Sequence, residues 1–171
     1  MESFSRAVRR VRAPIYTEDD LRKIYNEITS ASFADVSHET QLIFKDFGDV
    51  GMSTPFKKVY ININEINKYN WPEDVVRGVF AHELAHQVSY KRRSFIGRFL
   101  FLWNYLFSKS RKRRVEKEAD EIAIERGYGK EIVQGRIYQF NFGDRKRAEK
   151  EKKVYLSVGD LEKLIEEKKI S

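Results

Sequence analysis

Five consecutive residues, His82-Glu83-Leu84-Ala85-His86, have the types and the spacing that metal chemistry needs. On an α-helix, residues four positions apart project about 40° from each other, so both imidazoles can reach one ion. Glu83 projects about 60° from His86, where its carboxylate can face a water molecule on that ion. The pentapeptide therefore predicts a metal site and a general base within little more than one helical turn.

The composition restricts the third metal ligand to a carboxylate. The chain of 171 residues has three histidines and no cysteine, and no histidine follows His86. Because a catalytic zinc ion takes three protein ligands and a water molecule, we expect Asp or Glu to supply the third ligand. A predicted helix after position 114 offers five acidic residues, namely Glu116, Glu118, Asp120, Glu121 and Glu125.

Glu116 and Asp120 are the favoured pair among these acids. They lie four positions apart and share a helix face with Ala119 and Ala123, whose small side chains let a neighbouring helix approach closely. The other three acids lie away from that face, mixed with basic residues as on a solvated surface. We therefore predict Glu116 as the third ligand. Asp120 is then placed to accept a hydrogen bond from the outward ring nitrogen of a ligating histidine.

Hydrophobic periodicity and capping residues predict the elements that position this site. The first part of the chain is predicted to form a helix that is capped by Thr17 and Asp20 and ends at about Ser30, a strand over 41–47, a turn over 48–51 and an alternating strand over 57–65. A helix then begins with a capping box at Asn70 and Glu73 and ends at about Ser89. The remaining elements are a helix over 114–127, a charged stretch over 144–153, and a last helix capped by Ser157 and Asp160. This order predicts one α+β domain over 1–171. A small antiparallel or mixed sheet packs against the active-site helix and a second ligand-bearing helix.

The two motifs together resemble a known family. His82-Glu83-Leu84-Ala85-His86 and Glu116-Lys117-Glu118-Ala119-Asp120 are similar to the HExxH and ExxxD signatures of gluzincin metallopeptidases. The Ala-Asp ending and the preceding strand look most like the CAAX prenyl protease and HtpX-like group, including its soluble minigluzincin relatives. The resemblance covers about 57–129, the predicted catalytic core, and implies a zincin-like fold. It implies one Zn2+ bound by His82, His86 and Glu116, with Glu83 activating the attacking water.

The resemblance also implies how a polypeptide substrate binds. In the family, substrate pairs with a sheet edge formed by the strand before the HExxH helix. That strand would be Val59 to Asn64 here, with Tyr60, Asn62 and Asn64 as the substrate-binding edge residues. The predicted function is a zinc-dependent endopeptidase with Glu83 as general base. The alternative is a basic nucleic-acid-binding or membrane-surface protein with a latent or degenerate metal site.

Peptide hydrolysis also needs a hydrogen-bond donor for the oxyanion that develops on the scissile carbonyl. The sequence offers five candidates and does not rank them: His38, Tyr128, Arg136, Tyr138 and Tyr155. His38 lies in a polar segment, which favours a surface or loop position over a catalytic one.

Positive charge is concentrated in one part of the chain. The net charge is +7, and nine basic residues with no acidic residue lie between Lys91 and Arg114. The positive charge of this basic insert, 91–114, is therefore larger than the net charge of the whole chain. It favours an anionic partner, either a membrane surface or nucleic acid. No recognised nucleic-acid module accompanies it, and a solvated surface is the ordinary role of such a run.

Within this insert, residues 95–107 form an apolar and aromatic run. Thirteen helical residues span about 20 Å, which is short of the roughly 30 Å hydrocarbon core of a bilayer. Three interpretations stay open: a buried core helix, an interfacial helix on an anionic membrane, and a protein-binding patch or substrate gate.

The basic N-terminal arm, 1–16, lacks the apolar core of a secretory signal. We therefore expect a cytoplasmic location, with association to the cytoplasmic membrane face as an option. The C-terminal extension, 141–171, matches no known pattern.

Overall fold

The computed structural model describes residues 15–94, 97, 108–142 and 145–170. Its helices are α1 (Glu18–Ser32), α2 (Ala34–Ser37), α3 (Ile63–Lys68), α4 (Glu73–Lys91), α5 (Lys109–Ala123), α6 (Gly129–Phe142), α7 (Arg145–Glu151) and α8 (Val158–Ile170). The strands are β1 (Gln41–Phe44), β2 (Gly51–Thr54) and β3 (Lys58–Ile61). The predicted α+β class is confirmed. Most of the N-terminal arm and of the run over 95–107 lies outside the described residues.

The three strands form one small mixed sheet in the order β1-β3-β2. β1 pairs with β3 in parallel, and β2 pairs with β3 in the antiparallel direction. Of the two predicted arrangements, the mixed sheet is therefore correct. β3 lies in the centre, with both of its backbone edges paired. The prediction that Val59 to Asn64 forms a free sheet edge is wrong, because β1 and β2 cover it on both sides.

The predicted strand over 57–65 is also too long, because Asn62 starts a helix. Its side-chain oxygen accepts hydrogen bonds from the backbone N–H of Asn64 at 3.1 Å and of Glu65 at 3.3 Å, as an N-cap does. Its amide nitrogen donates to Asp46 at 3.0 Å, and the side chain is buried. Asn64 lies in α3. Neither Asn62 nor Asn64 is therefore on a strand, so the prediction that they bind substrate at a sheet edge is wrong. Asn62 caps α3 and Asn64 lies within it. Tyr60 is on a strand, but that strand is the central one.

α4 is the central helix, and the metal motif lies on it. It packs against α1, β2, α5 and α6, and every residue from Phe80 to Tyr90 is buried. The predicted capping box at its start does not form. Pro72 is the N-cap without a side-chain cap bond, and Asn70 has a left-handed backbone with a φ of 52°. Burial of nearly the whole helix by its neighbours stabilises it without the box.

The second ligand-bearing helix begins and ends differently from the prediction. α5 starts at Lys109, where Ser108 accepts a hydrogen bond from Arg111 N as the cap, and it ends at Ala123. A π-helical turn follows, and Gly127 breaks the helix with a φ of 94°. The predicted break at the glycines is therefore present. The chain then enters α6 at once, which had no counterpart in the prediction, and α6 packs against α4.

The terminal helices confirm two predicted caps. Thr17 and Asp20 form a reciprocal capping box at the start of α1, and Ser157 and Asp160 hydrogen-bond to each other in the same manner at the start of α8. α8 packs on α6 and buries Leu161 in the core. Among the helices that the structure describes, none is both long enough and apolar enough to cross a membrane.

Candidate metal centre

Two helices bring together the three residues predicted as metal ligands. α4 supplies His82 and His86 and α5 supplies Glu116, all of them buried. The distance from His82 Nε2 to Glu116 Oε2 is 3.1 Å, and that from His82 Nε2 to His86 Nε2 is 3.2 Å. His86 Nε2 lies 3.5 Å from the same Glu116 oxygen. Three potential ligand atoms therefore form a nearly equilateral triangle.

This triangle has the size that a small tetrahedral ion requires. Ligand atoms about 2.0–2.1 Å from a tetrahedral zinc ion lie about 3.3–3.4 Å from each other. The three measured separations fall on both sides of that value. Two imidazole nitrogens 3.2 Å apart repel if both present lone pairs, whereas one cation attracts all three donors. The group of His82, His86 and Glu116 could hold a metal ion.

Asp120 fixes the orientation and the tautomer of His82. His82 Nδ1 lies 2.9 Å from Asp120 Oδ1, and Asp120 is fully buried. Because a carboxylate can only accept, Nδ1 carries a proton, and in the neutral ring the Nε2 lone pair is then available to a metal ion. This contact is the one predicted from the spacing of Glu116 and Asp120. His86 Nδ1 is also buried, and it has no hydrogen-bond partner among the described residues.

Arg136, on α6, holds Asp120 from the other side. Its Nη2 donates to both carboxylate oxygens of Asp120, at 2.9 and 3.1 Å, and its side chain is 4% exposed. The guanidinium also lies over the Tyr155 ring, 4.2 Å from the centroid. Sequence reasoning placed Arg136 only among the oxyanion candidates and missed this ion pair. No local spacing signals it, because α6 was not predicted.

The protonation of the centre follows from burial and from these hydrogen bonds. Burial lowers the pKa of His82, but hydrogen bonds with Asp120 and Glu116 outweigh this effect and raise the pKa to about 10. Burial raises the pKa of Glu116, and hydrogen bonds with His82 and His86 outweigh it and hold the pKa well below its usual value. Protons and a metal ion therefore compete for the same atoms. Burial raises the pKa of Glu83 to about 7.

A cavity opens beside His82, one of the three metal-ligand candidates. It offers about 60 Å³ to water-sized molecules, and its lining includes Trp71, His82, Glu83, Asp120, Arg136 and Tyr155. Glu83 is buried beside His82 and lines this cavity. A molecule in the cavity therefore contacts the general-base candidate and one metal-ligand candidate at the same time.

The structure separates the five oxyanion candidates. Arg136 and Tyr155 line the cavity. Tyr138 donates its hydroxyl hydrogen to backbone carbonyls outside the cavity. Tyr128 packs near Phe33. His38 is exposed in a separate polar groove, and its predicted surface position is therefore confirmed. Tyr138, Tyr128 and His38 do not line the cavity and are set aside as oxyanion donors.

The acidic residues predicted to lie outside the centre do so. Glu118 is partly exposed and forms an ion pair with Arg93 at 2.9 Å. Glu121 pairs with Lys117 at 3.3 Å, and Glu125 pairs with Lys168. The prediction that Glu116 and Asp120 share one face of the helix, and that these three acids lie on another, is therefore confirmed.

Gly51 brings the outer strand β2 against the general-base candidate. A Cβ atom at Gly51 would lie 2.9 Å from Glu83 Oε1 and 2.9 Å from Val79 Cγ1. These distances are too short for ordinary contact, so the close approach of β2 to α4 needs glycine here. The sequence pattern predicts this residue only as part of a turn.

Replacing Gly51 by alanine should displace the Glu83 carboxylate. If Glu83 is the general base of a peptidase, as the sequence predicts, kcat/KM for peptide hydrolysis should fall about 10-fold or more, since small misplacements of a catalytic group are costly. Metal content should stay unchanged, because the three atoms nearest to a Cβ at this position belong to Glu83 and Val79 and not to the ligand candidates. Gly48→Ala is the matched control, because its Cβ would have no neighbour within 4 Å. Equal activity of the Gly51→Ala protein and the parent would show that Gly51 does not position Glu83.

Replacing Arg136 by methionine should destabilise the protein by about 3–5 kcal/mol, since it removes the permanently charged partner of the buried Asp120 carboxylate. Chemical denaturation measures this change. The matched control is Arg22→Met, which removes an ion pair with Glu18 whose side chains are 49% and 58% exposed. That change should cost less than about 1 kcal/mol. Similar losses in both proteins would mean that burial of the Arg136–Asp120 pair is unimportant.

No protein-family model matches the chain, and no curated protein or solved structure shows significant similarity to it.

Proposed function

We propose that the protein is a zinc-dependent endopeptidase of the gluzincin type, with a zincin-like catalytic core. The observation that carries the proposal is the tetrahedral spacing of His82 Nε2, His86 Nε2 and Glu116 Oε2, with Glu83 buried beside them. The resemblance of the two motifs to HExxH and ExxxD supports the same conclusion from the sequence alone.

The donor set favours zinc among the common metals. Two imidazole nitrogens and one carboxylate oxygen form a three-ligand set that catalytic zinc sites use. The chain has no cysteine, which removes thiolate sites from consideration. When bound, zinc would polarise a carbonyl and make a water molecule more acidic.

Glu83 performs the proton transfer in this proposal. Its carboxylate takes a proton from the attacking water and delivers it to the leaving amine. Burial within the cavity keeps the carboxylate close to the reacting atoms and away from bulk solvent. Arg136 and Tyr155, which line the same cavity, are the two remaining candidates for stabilising the oxyanion.

β2 replaces β3 as the proposed substrate-binding strand. Among the strands that the structure describes, β2 pairs only with β3, so its other backbone edge is available. Gly51 at its start contacts the Glu83 region of α4. A polypeptide that added to β2 as a further strand would therefore pass beside Glu83.

Removal and return of the metal tests the proposal. The protein is treated with a chelator, dialysed, and assayed on an unfolded protein substrate before and after zinc is added back. We expect hydrolysis to disappear and then to return with about one zinc per chain. His38→Ala is the matched control for His82→Ala and His86→Ala, because His38 is the third histidine and lies outside the cavity. Hydrolysis that persists without zinc, or zinc binding without any hydrolysis, would contradict the endopeptidase proposal.

A further inference from the structure

The pairing of β2 with β3 determines which backbone groups of β2 face its outer edge. Asn62 N donates to Val50 O at 2.9 Å, which makes these two residues a hydrogen-bonded pair of the antiparallel ladder. Because hydrogen-bonded pairs alternate along such a ladder, Met52 also bonds to β3, whereas the N–H and C=O groups of Gly51 and Ser53 point away from it. A strand that adds to this edge therefore hydrogen-bonds to Gly51 and Ser53.

Side chains of α4 hold β2 in a fixed position beside the cavity. Glu83 and Gln87 lie four positions apart on α4, so they share the helix face that contacts β2. Gln87 is buried, and its amide donates to Ser53 Oγ and, at 2.9 Å, to Thr54 O. Gly51, at the other end of β2, lies against Glu83 and lines the cavity. An added strand is therefore in a fixed register with Glu83 as well.

The sheet face that points away from α4 has two rows of cross-strand partners. Val59 and Ile61 of β3 are fully buried on the opposite face, so the residues that alternate with them point outward. The apolar row consists of Ile43, Tyr60 and Met52. The polar row consists of Gln41, Lys58 and Thr54. Met52 is 43% exposed and ends the apolar row at the outer edge of β2, where an added strand would extend the row by one residue.

We propose that the protein selects polypeptide substrates with a large apolar residue at the position opposite Met52. This inference rests on the proposed function, which assigns the substrate strand to β2. Apolar cross-strand pairs on one sheet face stabilise strand pairing, and the flexible methionine side chain adapts to several apolar shapes. The selected class is therefore segments with leucine, isoleucine, phenylalanine or methionine at this position. The substrate residue two positions along lies opposite Thr54 in the polar row, so the apolar selection applies to one position only.

The register also places the selected residue relative to the chemistry. In the substrate strand, the side chains opposite Gly51 and Ser53 project toward α4, because they alternate with the side chain opposite Met52. Gly51 lines the cavity that contains Glu83. The apolar residue is therefore the direct neighbour of the substrate residue that lies over the cavity.

A nuclear magnetic resonance titration of the full chain carrying Glu83→Gln tests this recognition without cleavage of the peptide. The probe is a short peptide of serine and threonine with one central leucine or one central glutamate. We expect the amide signals of Gly51 and Ser53 to shift most, and the leucine peptide to bind about 2–5-fold more tightly than the glutamate peptide. Adding Met52→Lys should abolish or reverse this preference, because opposite charges pair favourably across strands.

Ile15→Lys is the matched control, since it makes the same change at an apolar residue that is 80% exposed and lies outside the sheet. The control protein should keep the parental preference for the leucine peptide. The proposal is overturned if both lysine variants lose the preference equally, if Met52→Lys retains it, if the peptides shift signals only away from β2, or if neither peptide binds. Circular dichroism and zinc content of each variant should match the parent, which separates these outcomes from loss of the fold or of the metal centre.

Hydrolysis of the same two peptides by the zinc-loaded parental protein separates this proposal from the proposed function. Leucine-selective binding on β2 without hydrolysis contradicts the endopeptidase activity and supports the recognition by Met52. Hydrolysis of both peptides with equal kcat/KM contradicts the recognition by Met52 and supports the endopeptidase activity.

Discussion

Replacing Glu83 by glutamine is expected to lower kcat/KM for peptide hydrolysis by about 10²–10⁴-fold, the usual contribution of a general base. Glutamine has nearly the same shape as glutamate, but it cannot take a proton from water at neutral pH. Zinc content should stay at one per chain, because the Glu83 side chain is not one of the three ligand candidates. Hydrolysis assays and metal analysis on the same preparation measure both quantities.

Glu121→Gln is a control of the same chemical change on the partly exposed side of α5. It should leave both activity and zinc content at the parental level. A Glu83→Gln protein that hydrolyses peptides as fast as the parent would remove Glu83 from the mechanism. A Glu83→Gln protein without zinc would indicate that Glu83 supports the metal site instead.

Replacing Glu116 by glutamine should have the largest effect on metal binding. It removes the negative charge of a ligand that is 1% exposed and adjoins both histidines. Loss of an outer-shell partner typically lowers metal affinity about 10–100-fold, and we expect loss of this ligand to cost at least as much. Equilibrium dialysis against buffered zinc measures the change in affinity.

Glu118→Gln is the matched control for this experiment. Glu118 lies two residues away on the same helix, but its side chain is 33% exposed and pairs with Arg93. The control protein should bind zinc as the parent does. Equal zinc affinities of the Glu116→Gln and parental proteins would exclude Glu116 as a ligand and leave the centre without its third protein donor.

The sequence predicted the ligand geometry because helical periodicity decides which side chains share a face. His82 and His86 are four apart, and so are Glu116 and Asp120, with Ala119 beside them. Once both segments are known to be helical, the small side chain of Ala119 is enough to predict that the two helices pack closely. A hydrogen bond between Asp120 and one of the two histidines followed from this reasoning, and the structure has it at His82, at 2.9 Å.

The substrate strand could not be assigned from periodicity. Residues 57–65 alternate between apolar and polar types, which fits a strand. The polar residue Asn62 instead caps a helix, and its hydrogen bonds to Asn64 and Glu65 end the strand. The order of the strands in the sheet could not be predicted from local sequence either, because β1 and β3 pair although they are separated along the chain. A local pattern does not specify which strand has the free edge.

The supporting residues of the centre depended on tertiary contacts. Arg136 reaches Asp120 only because the chain enters a new helix immediately after the break at Gly127. The need for glycine at position 51 arises from the approach of β2 to α4, and its own turn-like sequence does not reveal it. Both residues act through packing between distant segments, which local patterns in a single sequence do not reveal.

The proposed function depends on one zinc ion held by His82, His86 and Glu116. Anomalous X-ray diffraction at the zinc absorption edge, on crystals of the full chain grown with zinc, tests it most directly. We expect one strong anomalous peak about 2.0–2.1 Å from His82 Nε2, His86 Nε2 and a Glu116 carboxylate oxygen. A structure with no peak among these three residues, or with zinc bound only elsewhere, would contradict it.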